Sequence, residues 1–260
     1  MQKKQKIRSR WVLLDIGNTA VTYAVCRNGK IIRTGNVLHD AIPNFVKNSV
    51  ISGASRHITY LFISSVVPQL TNAILKLVKG SPSVRVYRLG RDIHILLKHK
   101  YKQYNNLGID RLLNAFGVSK SYRAPAVIID FGTAMTVDYL DKNHTFQGGL
   151  IIPGPELSYQ SLIAKAALLP KNARLPKKNV SFYGKTTYEC LQSGILQGYG
   201  AMTDELIRRF RAKYGKSILA VATGGFSKHL KPYSKELDRI DPLLTLKAIR
   251  LIAASVFKQT

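Results

Sequence analysis

Trp11-Val-Leu-Leu-Asp15-Ile-Gly-Asn-Thr19 and Ala126-Val-Ile-Ile-Asp130-Phe-Gly-Thr133-Ala134 render one pattern twice, half a chain apart. In each, a short apolar run ends in an aspartate, followed by a glycine turn that carries a hydroxyl. Alternating residues suited to a second strand come next, Val21-Thr-Tyr-Ala-Val25 and Thr136-Val-Asp-Tyr139. A carboxylate at a strand end offers a metal-directed charge, and the turn beside it offers backbone N–H groups. Nucleotide phosphates need that combination. A lone aspartate before glycine is usually only a turn residue. Two copies in matching context suggest two related subdomains facing one ATP. A third glycine turn, Thr223-Gly-Gly225, follows the apolar run Ile218-Leu-Ala-Val-Ala222 and would permit close backbone approach to an adenine ring.

Working outward, the first half reads as strands around 11–15, 21–27 and 30–37, a helix around 41–50, and a strand Tyr60-Leu-Phe-Ile-Ser64. Pro68 suits the first turn of a helix over 69–79. A short strand, Val84-Arg-Val-Tyr87, and a helix over 110–122 complete this half. The second half repeats the opening with strands near 126–130, 135–140 and 146–151. Pro153-Gly-Pro155 then precedes a helix through about Leu168. A polar loop over 170–186, a long helix from Thr187 to Tyr214, a strand over 218–222 and a helix over 243–257 follow. Three leading strands and then alternating helix and strand, in both halves, predict a mixed α/β sheet in each with helices covering the faces. The boundary is expected near 122–126, giving halves 1–123 and 124–260.

The chain has 260 residues and is 45% hydrophobic, enough for a buried core in one large or two ordinary domains. Cys26 and Cys190 lie far apart, which excludes a disulfide framework or a cysteine zinc site and fits a reducing cytosol. The six histidines form no HExxH or HxxxH pattern. The basic stretch 1–10 leads into only four apolar residues, too few for a secretory signal. No apolar run approaches the roughly 20 residues of a membrane span. A cytoplasmic protein is therefore expected. Forty Lys+Arg against fourteen Asp+Glu give +26. This charge is spread along the chain, with no long basic block and no RNA-recognition or zinc-finger motif. A solvated cationic surface that attracts anionic substrates is therefore favoured over a nucleic-acid partner.

Gly184-Lys-Thr186 imitates the tail of a Walker phosphate loop, but the glycine required five residues earlier is Asn179, and no apolar strand leads in. There is no intact GxGxxG either. Asn106-Leu-Gly-Ile-Asp110-Arg111 is the remaining constellation. Asp110 at a helix start could be an N-terminal cap. The adjoining Arg111 could hold a substrate carboxylate in a bidentate pair. An aspartate beside such an anchor is placed to accept a hydroxyl proton, as phosphoryl transfer to an alcohol requires.

Together these residues resemble the type III pantothenate kinases of the acetate and sugar kinase/Hsp70/actin superfamily. The landmarks run in family order over nearly the whole chain: Asp15-Ile-Gly-Asn-Thr19, Ser64-Ser-Val-Val-Pro68, Tyr101, Gly108-Ile-Asp-Arg111 and Asp130-Phe-Gly-Thr-Ala-Met-Thr-Val-Asp138. Gly148-Gly149, Pro153-Gly154, Leu169-Pro170, Gly184-Lys-Thr-Thr187, Ser193-Gly194 and Thr223-Gly-Gly225 follow. The resemblance implies two duplicated ribonuclease H-like (actin-like ATPase) subdomains. The first would carry one phosphate loop and the substrate motif; the second would carry the other phosphate loop and the adenosine motif.

By the same resemblance, Asp15, Ile16, Gly17, Asn18, Thr19, Ala20, Val21 and Thr22 match the first ATP loop, and Thr133 is the ATP contact of the second. Asp130 matches the ligand of a monovalent cation, K⁺ or NH₄⁺. Tyr101, Gly108, Ile109, Asp110, Arg111 and Thr187 match pantothenate contacts, with Asp110 as proton acceptor. ATP would come with Mg²⁺, and the protein would be a homodimer. The chain departs from the family at Tyr104, where proline is frequent, at Thr186, where asparagine is common, and at Thr22, where lysine is frequent. The implied activity is ATP-dependent phosphorylation of pantothenate to 4′-phosphopantothenate, the first step of coenzyme A synthesis. A non-catalytic nucleic-acid-binding accessory protein of the same fold is the alternative. Retention of Asp15, Asp110, Arg111 and Asp130 argues against it. A kinase of this superfamily acting on another small alcohol is a third reading.

Overall fold

The computed structural model describes residues 10–52, 58–169, 175–176 and 180–257. The basic stretch 1–9, Pro170 and the Asn179 of the Walker comparison lie outside the described residues. Two five-stranded mixed sheets form the framework. The first contains β1 (Arg10–Ile16), β2 (Val21–Arg27), β3 (Lys30–Val37), β4 (Thr59–Ser65) and β5 (Val84–Arg88), in the order β3-β2-β1-β4-β5. The second contains β6 (Ala126–Phe131), β7 (Ala134–Leu140), β8 (Phe146–Pro153), β9 (Leu219–Thr223) and β10 (Arg239–Ile240). Its order, β10-β9-β6-β7-β8, is the same topology read from the other edge.

The duplication reaches the level of register. β1 is central, antiparallel to β2 and parallel to β4, so Asp15 lies between Thr22 and Ser64. β6 is likewise central, and Asp130 lies between Thr136 and Thr223. The two aspartates thus occupy equivalent strand ends, as the sequence pattern predicts.

In the first sheet the two-residue period of β1 divides the core. Val12, Leu14 and Ile16 pack with Ile42 and Val46 of α1 (Ile42–Val46) and with Ile74 and Val78 of α2 (Pro68–Val78). Trp11 on the opposite side stacks on Phe257, just beyond α7 (Leu244–Val256), at 5.2 Å between ring centroids. α1 continues as a wider turn over Lys47–Ile51, within the span read as one helix. α3 (Ile109–Ser121) follows the glycine of the substrate motif.

In the second sheet Val127, Ile129, Phe131, Val137 and Ala220 pack against Leu196, Tyr199 and Ile207 of α5 (Thr187–Tyr214). α5 begins where Gly184-Lys-Thr186 ends. Thr186 Oγ1 accepts the Glu189 N–H at 3.2 Å, and Glu189 Oε2 accepts the Lys185 N–H at 2.8 Å. This stretch is therefore a reciprocal helix cap. α4 (Pro155–Lys165) stops short of Leu168 because Ala166 turns to extended backbone. α6 (Ser227–Leu230) and the two-residue β10 escape sequence reading, since neither is long enough to display a period.

The compact units do not follow one cut along the chain. One comprises Met1–Leu96, Asn106–Phe116 and Thr245–Thr260; the other comprises Leu97–Asn105 and Gly117–Leu244. The halves 1–123 and 124–260 each contain one whole sheet, but the units exchange connecting segments. α3 is divided between them, and all but the first residue of α7 belongs with the first sheet, because helices pack where their apolar faces are covered rather than where the chain is cut.

One buried carboxylate ties α5 to the segment before β10. Asp204 accepts hydrogen bonds from the Ser234 hydroxyl and from the N–H groups of Lys235 and Glu236. Burial opposes its ionisation, but these three donors and nearby Arg208 outweigh burial and hold its pKa below the usual carboxylate value. Asp204→Ala is expected to lower stability at pH 7 by about 2–4 kcal/mol. The folded-state pKa is depressed, so this contribution is present above the unfolded value of about 3.9 and is lost as pH falls through the folded value. Denaturant melts at pH 7 and at pH 3 should show the difference between wild type and variant shrinking in acid; a constant difference would contradict the assignment.

Candidate active site

The first acidic turn is built at the end of β1. The Gly17 N–H donates to Ala20 O at 3.1 Å, closing the turn over Asn18 and Thr19, which are both exposed. The Ser64 hydroxyl, across the parallel ladder, donates to Asp15 Oδ1 at 3.0 Å. Burial pushes the Asp15 pKa up to about 7, opposed by the Ser64 hydrogen bond and assisted by the nearby Asp110 charge. His39 Nε2 lies 2.9 Å from Gly17 O and braces the turn from outside. Sequence reading gave Ser64 no role and missed His39, which sits 22 positions from its partner in no motif.

Asp110 lies in the same compact unit. Its Oδ1 accepts the Arg111 N–H at 2.8 Å, so the capping interpretation is half right. That bond occupies one oxygen, and a carboxylate has a second with which to accept a proton. Gly108 lies close against this carboxylate: a Cβ at that position would stand 2.5 Å from Asp110 Oδ1, so Asp110 would have to turn away. Arg111 is buried, 6% exposed. Ile109 begins the helix and reaches Gly90, which adopts φ +81°.

The second turn is shorter by one residue. Gly132 N–H donates to Ala134 O at 3.1 Å, and the partner of Asp130 on the next strand is Thr136, six positions on; the partner of Asp15 is Thr22, seven positions on. Thr133 O accepts the Gly154 N–H at 2.9 Å, so Pro153-Gly154 is a brace for the turn. Thr223-Gly-Gly225 wraps round the same strand end: Phe226 N–H donates to Phe131 O at 3.2 Å. Gly224, at φ +87°, approaches so closely that a Cβ would stand 2.3 Å from Asp130 Oδ1. Asp130, Thr133 and the late glycine turn therefore form one neighbourhood.

Tyr101 and Thr187 also belong to this second unit. Tyr101 lies over Gly148, with its ring 6.0 Å from that of Phe146, on a segment docked to the start of β8 through Lys100 N–H to Phe146 O. Thr187 is the exposed first residue of α5. A shallow cavity of about 420 Å³ beside it is lined by Ser181, Phe182, Tyr183, Lys185 and Glu189, of which only Lys185 falls in a stretch singled out from sequence.

The donors suit the cations that phosphoryl transfer uses. Among the described residues no three His, Cys, Asp or Glu side chains converge. Mg²⁺ with ATP characteristically takes only one or two carboxylates, the phosphates supplying further oxygens. A desolvated Asp15 whose ionisation is opposed by a neighbouring carboxylate fits such an ion, because a cation would relieve both penalties. Asp130, packed beneath two glycine turns, offers a second, separate carboxylate.

The chain is similar to proteins of known family and fold. The type III pantothenate kinase family profile matches residues 11–209. A type III pantothenate kinase of Syntrophus aciditrophicus is 31% identical over 252 residues, covering 93% of this chain and 97% of that protein. Among solved structures, a conserved Campylobacter jejuni protein described as a Baf family transcriptional activator superposes with TM-score 0.60 at 19% identity, over 95% of this chain and 99% of that one. A Sinorhizobium meliloti protein described as a 2-dehydro-3-deoxygalactonokinase superposes with TM-score 0.59 at 11% identity, over 95% and 97%. These structures establish the fold, that of the actin-like ATPases and sugar kinases. The family match and the sequence relative establish more: the chain belongs to the type III pantothenate kinase family, ATP-dependent enzymes that phosphorylate pantothenate.

Proposed function

We propose that the first unit carries the reacting centre and that Asp110 is its general base. What supports this reading is the placement of Asp110 in the first turn of α3, beside the buried Arg111 and near enough to Asp15 for its charge to oppose Asp15 ionisation. Asp110 accepts the proton of the primary hydroxyl of pantothenate as that oxygen attacks the γ-phosphorus. The bond from the γ-phosphorus to the β–γ bridging oxygen breaks, and ADP leaves. Arg111 holds the pantothenate carboxylate, Gly108 and Ile109 shape the approach, and Tyr101 and Thr187 contact the substrate. Asp15, Ile16, Gly17, Asn18, Thr19, Ala20, Val21 and Thr22 receive the phosphates, and Thr133 contacts ATP. Asp15 holds Mg²⁺, which neutralises phosphate charge when bound. Asp130 holds K⁺ or NH₄⁺, which supplies positive charge beside the second turn. Residues 1–123 serve substrate and phosphates, and 124–260 serve the second phosphate loop and adenosine, in the cytoplasm.

A homodimer is part of the proposal. β8 is an edge strand, and Leu150 and Ile151 on it are 41% and 65% exposed. An apolar sheet edge left in water is an association hazard, and a second copy of the chain would cover it.

Three experiments follow. Asp110→Asn should lower kcat by about 10²–10⁴-fold with little change in the KM for pantothenate; near-normal turnover would remove Asp110 from the role. For Asp15 the folded pKa of about 7 exceeds the unfolded value of about 3.9. Between those values the folded protein keeps a proton the unfolded chain has released, so the Asp15 contribution weakens as pH rises through the window. Asp15→Asn should therefore melt about 5 °C or more higher than wild type at pH 8, with little gain at pH 4, while losing kinase activity. An equal shift at both pH values would contradict the burial argument. Finally, Ile151→Glu should convert a dimer to monomer in sedimentation equilibrium; an unchanged mass would exclude β8 from the interface.

A further inference from the structure

The family assignment leaves the +26 charge unused, and the second sheet gathers part of it at one end. β6 begins at Ala126, paired with Leu140 at the end of β7 and Leu219 at the start of β9. The chain just before 126, just after 140 and just before 219 therefore meets at the end opposite Asp130. Those three segments bring Arg123, Lys142, Lys213 and Lys216, all exposed and none in an ion pair among the described residues.

The acids nearby are already committed. Asp141 accepts from the N–H groups of Asn143 and Thr145 and from Gln147 Nε2. Glu236 and Asp238 both bind Arg211, and Glu205 binds Arg208 and Arg209. The four exposed cations are thus not locally neutralised.

An aromatic stack lies among them. Tyr139 and Tyr214 stack at 4.6 Å between centroids, Phe210 joins at 5.6 and 6.0 Å, and Tyr214 is 46% exposed. Lys213 Nζ lies 5.3 Å from the Tyr214 ring centroid. Cations flanking an exposed aromatic ring are what single-stranded nucleic acid needs, the charges tracking phosphates and the ring accepting an unstacked base. A phospholipid headgroup would use the charges but has no flat base to lay on the ring.

We propose that this end of the second sheet binds single-stranded nucleic acid, with Arg123, Lys142, Lys213 and Lys216 on phosphates and Tyr214 stacked on a base. The surface lies at the far end of β6 from the Asp130 turn, so binding is separate from phosphoryl transfer. It also differs from the non-catalytic accessory reading, since kinase activity is retained.

The test is fluorescence anisotropy of the full-length kinase with a labelled single-stranded RNA of about 16 nucleotides, over a range of salt. Replacing Arg123, Lys142, Lys213 and Lys216 together by alanine should weaken binding at least about tenfold and reduce the salt slope by about 3, the value for four phosphate contacts on a single strand. Tyr214→Ala should weaken binding about tenfold with the slope unchanged. Both variants should keep wild-type kinase activity, which also shows that they fold. A charge-matched control, alanine at the exposed Lys30, Lys47, Lys76 and Lys79 of the first unit, should bind RNA as wild type does. Equal loss in the control and the four-residue variant would mean diffuse charge, and would overturn the proposal. So would RNA binding insensitive to Tyr214, or heparin displacing RNA equally well from wild type and Tyr214→Ala.

Discussion

A carboxylate at the end of a central, buried strand is the constraint around which the first unit is arranged. Asp15 is placed by the β1 ladder, held by the Ser64 hydroxyl from the parallel neighbour, and opposed by Asp110. None of these neighbours neutralises it. Burial thus brings its pKa up to about 7, and a cation bound beside it would favour the ionised form. Under the function proposed above, the stability given up by burying this carboxylate would be recovered when a cation and nucleotide bind.

The second sheet repeats the constraint with a different outcome. Its topology is the same and its aspartate has the same register position, yet its turn is one residue shorter. The shorter turn is braced by Gly154 and overlaid by Gly224, which brings backbone close to Asp130 where the first sheet brings the Ser64 hydroxyl to Asp15. One fold thus yields two chemically unlike carboxylates. The difference is one of turn length and covering segment, and the strands themselves are equivalent.

The strand framework was legible because central strands must be apolar and their ends carry glycine turns. Asp15, Asp130 and the Thr223-Gly-Gly225 turn could be found by that signal alone. Gly108 was legible as a landmark, but its reason, the nearness of the Asp110 carboxylate, needs coordinates. Ser64 and His39 reach the first turn through pairings 49 and 22 positions apart, which no local pattern announces. The compact units interleave segments of the chain for a related reason. Turn composition marks where a chain can bend, whereas membership of a core depends on which apolar faces meet.

Charge was the feature least legible from sequence. Read linearly, the basic residues are scattered, and a solvated surface was the favoured interpretation. Strand order changes that reading without changing any residue, because Arg123, Lys142 and Lys216 all sit beside the ends of adjacent strands β6, β7 and β9. The acids that could have balanced them are bound to turns or to arginines elsewhere, so their number overstates their effect on this surface. Net charge describes solubility and steering of the whole molecule. Recognition depends on local imbalance, and here that imbalance arises from the same sheet topology that places a carboxylate at the opposite strand end.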